Sequence, residues 1–294
     1  MLGAFVAIAL CAAPSVVAAG GSVTPGTASQ VAALVAASVH IKSLTSAQEA
    51  ALSTAGLENA DIAFHIPTLC ESATSCVYGD TSAKTTVVVL GDSHVRMWLP
   101  ALATTATTDR FRIVVLGRDG CPVIAYQVFT YEDCVGVMSH ALKVIDQLKP
   151  AAVIVGDRTS LLPAISTATW QRAETDVLDA LKGSDAAVAV IGDIQAFNLE
   201  PVDCLAIHPR NVQLCGSPNP DPAKPGHESA EQAGAAAAGV TYVNPQPWLC
   251  TSTRCSPVVG PYFAYWDDTH VSVPYARYLA GVLATALKPA LAGA

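Results

Sequence analysis

Two short stretches of this chain hold residue types that could together activate a hydroxyl. The first, Val87-Val88-Val89-Leu90-Gly91-Asp92-Ser93-His94, sets a serine just past a run of β-branched residues. The second, Tyr265-Trp266-Asp267-Asp268-Thr269-His270-Val271-Ser272, sets a carboxylate three residues before an imidazole. A serine hydroxyl is a weak nucleophile and needs a base. A histidine can be that base, and a carboxylate can orient it and stabilise its protonated form. Spacing of three puts Asp267 and His270 on one side of a helical turn, the geometry expected here. Ser93 is thus the candidate nucleophile, His270 the base and then acid, and Asp267 the orienting group. Each stretch alone has a plainer reading: G-D-S after a strand is a common turn, and D-x-x-H is a surface turn or a helix cap with Asp at its N-cap. The catalytic reading rests on their combination at positions where such parts must sit.

Those positions follow from the elements around them. Short, continuous apolar runs occur at Thr85–Leu90, Phe111–Leu116, Ala151–Gly156, Ala186–Ile191 and Gly239–Val243. Runs that do not alternate suit strands buried on both faces. Helical stretches are expected at His94–Ala106, Gly136–Gln147, Ala168–Lys182, Glu228–Ala238 and Pro274–Leu287. Alternation of this kind predicts an α/β fold: a three-layer α/β/α domain with a five-stranded, doubly wound parallel sheet. Ser93 then follows the first strand and His270 the fifth, both at the carboxyl edge, where open α/β sheets form their crevice. The helix start after Ser93 offers free backbone N–H groups to a developing oxyanion. The arrangement resembles a nucleophile elbow without the G-x-S-x-G sequence.

The N-terminal part is organised differently. Residues 2–19 form an uncharged apolar run. Its length and small-residue end fit a signal peptide or a membrane anchor over residues 1–20, although no basic residue precedes the run and Pro14 interrupts it. It also fits the last membrane helix of a longer protein whose start lies before Met1. Residues 21–83 read as a linker followed by a helical extension; 29–56 is alanine-rich, with Ser46 and Glu49 resembling a capping box. Residues 84–294 then form the catalytic domain. Within it, 194–227 is rich in Pro and Asn and reads as a long surface insertion.

Composition narrows the function class. The chain has 294 residues, 16 Lys+Arg against 24 Asp+Glu, and a formal charge of −8. Basic clusters that could track phosphates are missing, so nucleic acid is not an expected partner. Cys11 belongs to the apolar run. The other eight cysteines fall in sequence-local couples: Cys70 and Cys76, Cys121 and Cys134, Cys204 and Cys215, Cys250 and Cys255. Eight cysteines allow 105 pairings, and proximity favours these four disulfides. Such a set suits an oxidising compartment. Only Cys250 and Cys255 approach zinc-ligand spacing, and no partner pair accompanies them. Neither a metal nor an organic cofactor is expected.

Gly91-Asp92-Ser93-His94 with Asp267-x-x-His270 resembles the SGNH hydrolase superfamily. More narrowly, the chain is similar to the extracytoplasmic SGNH domain attached to membrane acyltransferases that O-acylate cell-surface polysaccharides. Cys76-Val77-Tyr78-Gly79-Asp80, Gly120-Cys121-Pro122 and Asp203-Cys204-Leu205 support this, as does the segment 265–272. The resemblance spans roughly residues 30–290 and implies a flavodoxin-like SGNH fold with Ser93, Asp267 and His270 as the catalytic residues. It implies the backbone N–H of Ser93 as one oxyanion donor and points to Gly120 for another. SGNH enzymes add an Asn from a G-x-N-D element; here Gly156-Asp157-Arg158-Thr159 stands instead, leaving Arg158 or fewer donors. His94 is expected to pack or hydrogen-bond at the helix start. Tyr265 and Trp266 either line an acceptor surface or belong to the core.

The function this implies is O-acyl transfer, with acetyl as the group, from an acyl donor to a carbohydrate acceptor of the cell envelope. A membrane acyltransferase partner, or a membrane domain preceding Met1, would deliver the acyl group. Two alternatives stand beside it: a secreted esterase that ends the reaction with water, and an inactive glycan-binding module, motivated by the missing Asn.

Overall fold

The computed structural model describes residues 23–55, 67–126, 132–162, 164–222 and 226–292. The apolar run at residues 1–20 lies outside them. Among the described residues, no helix is long and apolar enough to cross a membrane.

The strands of the main sheet are β1 (Leu69–Cys70), β2 (Val77–Gly79), β3 (Thr86–Gly91), β4 (Arg112–Arg118), β5 (Ala152–Gly156) and β6 (Ala187–Ile191). After a short outlying strand, β7 (Ser217–Pro218), β8 (Thr241–Val243) completes it. Five of them run parallel in the order β4-β3-β5-β6-β8. This is the doubly wound order with the chain reversal beside β3, and the expected parallel α/β sheet is present. Two strands are additional: β1 and β2 both pair antiparallel with β4. They are two and three residues long, too short to leave a pattern in the sequence.

Both faces of the sheet are covered, which explains the continuous apolar runs. Along β3, Val87 and Val89 enter one core, Val88 and Leu90 the other. Ile113 and Val115 against Val114 and Leu116 repeat this on β4. Each such side chain, removed from water, contributes about 1.5–3 kcal/mol. The helices are α1 (Ala28–Ser38), α2 (Ser46–Ala55), α3 (Ser93–Arg96), α4 (Leu99–Asp109), α5 (Glu132–Leu148), α6 (Thr167–Lys182), α7 (Pro201–Ile207), α8 (Glu228–Ala238), α9 (Val273–Tyr278) and α10 (Ala280–Leu291). One layer holds α1, α3, α4, α9 and α10, and the other α5, α6 and α8.

Local expectations change at several points, and the helix expected over 274–287 is divided at Leu279 into α9 and α10. The helix expected over 94–106 is split into α3 and α4, because Pro100 has no N–H to give to the preceding turn. The described part of the stretch 29–56 holds two helices, α1 and α2. Capping boxes stand at Thr27 with Gln30 and at Thr45 with Gln48, not at Ser46 and Glu49. The Thr45 hydroxyl takes the Gln48 N–H while the Gln48 amide oxygen takes the Thr45 N–H. Finally, the segment after Ile194 is a built unit. Its α7 packs on α2 around Leu44, Leu205, Val212, Val258 and Phe263. Strand β7 pairs with β9 (Arg254–Cys255), and a ribbon of β10 (Val258–Val259) and β11 (Tyr262–Phe263) lies beside it.

Disulfides join Cys70 to Cys76, Cys121 to Cys134, Cys204 to Cys215 and Cys250 to Cys255.

Candidate active site

Strand β3 ends on Gly91, at φ +145°. A Cβ there would stand 2.1 Å from the Gly156 carbonyl oxygen, so any side chain would collide with β5. The chain then turns sharply. Asp92, in extended conformation, caps α3: one carboxylate oxygen accepts the His94 N–H at 2.8 Å. The other accepts the Arg158 N–H at 3.0 Å, tying the turn to the loop after β5. Burial pushes the Asp92 carboxyl up, against the pull of His94 and these two N–H groups. Ser93 is thereby the first residue of a helix at the carboxyl end of a central strand, and it is half-buried.

The C-terminal stretch is a loop, not the expected helical turn. Tyr265 and Val271 form an isolated antiparallel bridge, and Trp266 N–H donates to the His270 carbonyl at 3.2 Å. Asp267 folds the loop around itself. Its Oδ1 accepts the N–H groups of Thr269 at 2.8 Å and His270 at 2.7 Å. An aspartate that takes backbone donors two and three residues on replaces the helical bonds. Its Oδ2 stands 2.7 Å from His270 Nδ1. Burial works to raise the Asp267 carboxyl, but the His270 imidazole and the two N–H groups outweigh it and hold it below the usual aspartate range.

These two pieces meet. His270 Nε2 lies 2.8 Å from Ser93 Oγ. The Met97 sulfur takes the Val271 N–H at 3.4 Å, seating the loop on the residue after α3. Ser272 caps α9 and donates to the Phe263 carbonyl, which anchors the far end. A hydroxyl on an imidazole whose second nitrogen faces a carboxylate can pass its proton to that imidazole as the oxygen attacks a carbonyl.

Gly120 sits where β4 has ended, in a turn closed by the Cys121 N–H on the Arg118 carbonyl at 3.0 Å. Its φ is +72°, and the space where a Cβ would lie is open. This turn is clamped from two sides. The disulfide to Cys134 ties it to α5. Buried Arg96, on α3, donates to Asp119 Oδ1 at 3.0 Å, to the Pro67 carbonyl at 2.7 Å and to the Gly117 carbonyl. The Arg96 guanidinium works to lower the Asp119 carboxyl, but burial outweighs it and raises it.

The segment Gly156-Asp157-Arg158-Thr159 holds no side-chain amide. Arg158 gives its N–H to Asp92 and its guanidinium to the Ser160 hydroxyl at 3.2 Å. Asp157 is buried and accepts the Val123 N–H at 2.8 Å; burial, with Asp92 and Glu174 nearby, pushes its carboxyl well up. Tyr265 belongs to the core, fully buried against Phe197 with ring centroids 4.5 Å apart. Trp266 is half-buried, its ring 5.5 Å from that of His270, at the rim of the site. The Asp268 carbonyl accepts the Phe197 N–H at 2.7 Å.

Two features here have little trace in the motifs. One is Arg96. The other is Asp193, just past β6, whose carboxylate stands 2.6 Å from His94 Nδ1. Its position at the carboxyl end of a strand is the signal that singles out Ser93, and it applies equally to Asp193. Among the described residues, no group of three or more His, Cys, Asp or Glu side chains is arranged to hold a metal ion.

The family described as "SGNH domain (fused to AT3 domains)" matches residues 62–285. Among solved structures, the periplasmic domain of a Salmonella ser. Paratyphi A lipopolysaccharide acetyltransferase is similar at a TM-score of 0.55 and 13% identity. That match covers 72% of this chain and 85% of that one. A carbohydrate acetylesterase from Sinorhizobium meliloti is similar at 0.43 and 11% identity, over 70% of this chain and 99% of that one. No curated protein matches.

Proposed function

The chain belongs to the family of SGNH domains fused to AT3 domains, and from that membership we propose that it is an exported, serine-dependent O-acyltransferase, acetyl being the group, that acts on cell-envelope glycans. The observation that carries this reading is the unbroken line from Asp267 Oδ2 through His270 to Ser93 Oγ, with contacts of 2.7 and 2.8 Å. Four disulfides favour an oxidising, extracytoplasmic setting. An AT3-type membrane acyltransferase, as a separate partner or as part of a longer chain, fits as the source of acyl groups.

In the proposed reaction, Ser93 Oγ attacks the carbonyl carbon of the acyl donor as its proton passes to His270 Nε2. In this proposal the Ser93 and Gly120 N–H groups serve as donors to the resulting oxyanion; neither donates to the backbone of another described residue. The carbon–leaving-group bond then breaks, and the leaving group takes the proton from His270. An acyl-Ser93 ester remains. A glycan hydroxyl gives its proton to His270 and attacks that ester; Ser93 departs with the proton, and the acylated sugar leaves. Asp267 stabilises the imidazolium in both halves.

The test is intact mass spectrometry after exposure to p-nitrophenyl acetate, followed by product analysis with and without a glycan acceptor. The expected result is one acetyl group on Ser93, its absence in Ser93→Ala, and transfer to the acceptor. Acetyl-serine that only hydrolyses makes the protein an esterase. A folded chain that never acylates, and does not react with a fluorophosphonate probe, leaves only the glycan-binding reading.

A further inference from the structure

A second imidazole–carboxylate pair lies directly behind the first. His94 is the residue after Ser93, it is 3% exposed, and its ring centroid is 4.7 Å from that of His270, tilted by 58°. Its Nδ1 contacts Asp193 Oδ1 at 2.6 Å. Asp193 is held by more than this contact. Oδ1 also accepts the Ile194 N–H at 2.8 Å, and Oδ2 accepts the N–H and hydroxyl of Thr159 at 2.8 and 3.0 Å. A carboxylate with four donors is kept ionised. Nε2 of His94 has no hydrogen-bonding partner among the described residues and is covered, so it is closed to substrate and can act only through its neighbours.

We propose that the buried His94–Asp193 pair is a positioning dyad that holds a fixed positive charge against the His270 ring and thereby keeps His270 free to accept the serine proton. The proposal rests on the reading of His270 as the base. An imidazolium this close makes a second protonation costly, as for any like-charge pair. The surroundings favour charge on His94. Burial opposes it, but the Asp193 carboxylate outweighs burial, with Asp92 adding to it and Arg158 opposing it, so the proton is held more tightly than on an ordinary histidine. Asp193 is itself kept below the usual aspartate range: burial works to raise it, and His94 with the surrounding donors outweighs that. Behind Asp193 stand Glu228 and Glu231 of α8, Asp157 after β5, Tyr242 of β8 and Tyr265. Facing His270 are Asp267 on its own loop, Asp119 on the β4 turn and the Trp266 ring.

Nitrogen-15 NMR of the folded wild-type chain near neutral pH tests this without any turnover. Both ring nitrogens of His94 should carry protons. In His94→Gln, proton uptake by His270 should move to higher pH, and the acidic limb of kcat/KM should move with it. Asp193→Asn should act in the same direction, because a buried imidazole without its carboxylate loses its charge. A neutral His94 in the wild type overturns the proposal, even if neither variant folds. So does a His270 titration that His94→Gln leaves unmoved. If the titration moves but no ester is turned over, the dyad stands and the acyl-serine reading falls.

Discussion

Arg96 binds Asp119 at 3.0 Å, and in doing so links the helix that begins at Ser93 to the turn that carries Gly120. The same guanidinium holds the Pro67 and Gly117 carbonyls. One buried cation thus sets the distance between the two parts of the site that would have to share one oxyanion.

Replacing it should therefore damage activity and stability together. Arg96→Met strands the buried Gly117 carbonyl, takes a donor from the Pro67 carbonyl and leaves Asp119 without its counter-charge, at a cost of about 2–4 kcal/mol in chemical denaturation. In the protein that remains folded, kcat should fall more than KM rises. Arg96→Lys, with one donor site in place of the fork, should recover only part of the loss. A folded Arg96→Met with wild-type kcat removes the turn from the site.

Asp267→Asn separates loop folding from chemistry. The asparagine oxygen can still accept the Thr269 and His270 N–H groups that shape the loop. It cannot offer the imidazole a negative charge. The expected result is a drop in kcat of roughly 10³–10⁴-fold with the melting temperature nearly unchanged. Full activity in this variant would exclude Asp267 as the orienting carboxylate.

Opening the Cys121–Cys134 link should loosen the Gly120 turn. The two cysteines are 13 residues apart, and closing a loop of that size stabilises a fold by about 3 kcal/mol in the chain-entropy model. The double change Cys121→Ala with Cys134→Ala should lower the denaturation midpoint accordingly, and lower activity by more than the loss of folded protein explains. A midpoint equal to wild type would show that the turn is held by Arg96 alone.

Stability should fall from mildly acidic to mildly alkaline pH. Glu174 is buried between α6 and α8, and burial pushes its carboxyl up to about 8 from an ordinary 4.5. Between those two values the folded chain keeps a proton that the unfolded chain releases, so stability is fully present below the lower value and is lost as pH rises through the higher one. Burial moves Asp157 and Glu231 the same way. Melting temperatures should be lower at about pH 8 than at about pH 5, and Glu174→Gln should narrow the gap. A gap that the variant leaves intact would assign the effect to other groups.

The amino-acid sequence by itself carries the layer order of this fold. Runs such as Val87–Leu90 and Ile113–Leu116 are apolar at every position because both faces of the sheet are covered, and the helical stretches between them leave one connection rule, the parallel crossover. It carries the cysteine couples too, since a short intervening loop keeps each pair close in any compact chain. It marks Ser93 and His270 as residues at one sheet edge. It does not carry how the 265–272 loop is shaped. Spacing of three suggests a helical turn, whereas an aspartate gripping two N–H groups of its own loop gives the same approach without one. Nor does it show that His94 meets Asp193, 99 positions on, or that Arg96 reaches the turn after β4. Periodicity records which side of an element is buried; which buried polar groups face each other depends on how separate strands and helices are set side by side, and that is decided only when the layers pack.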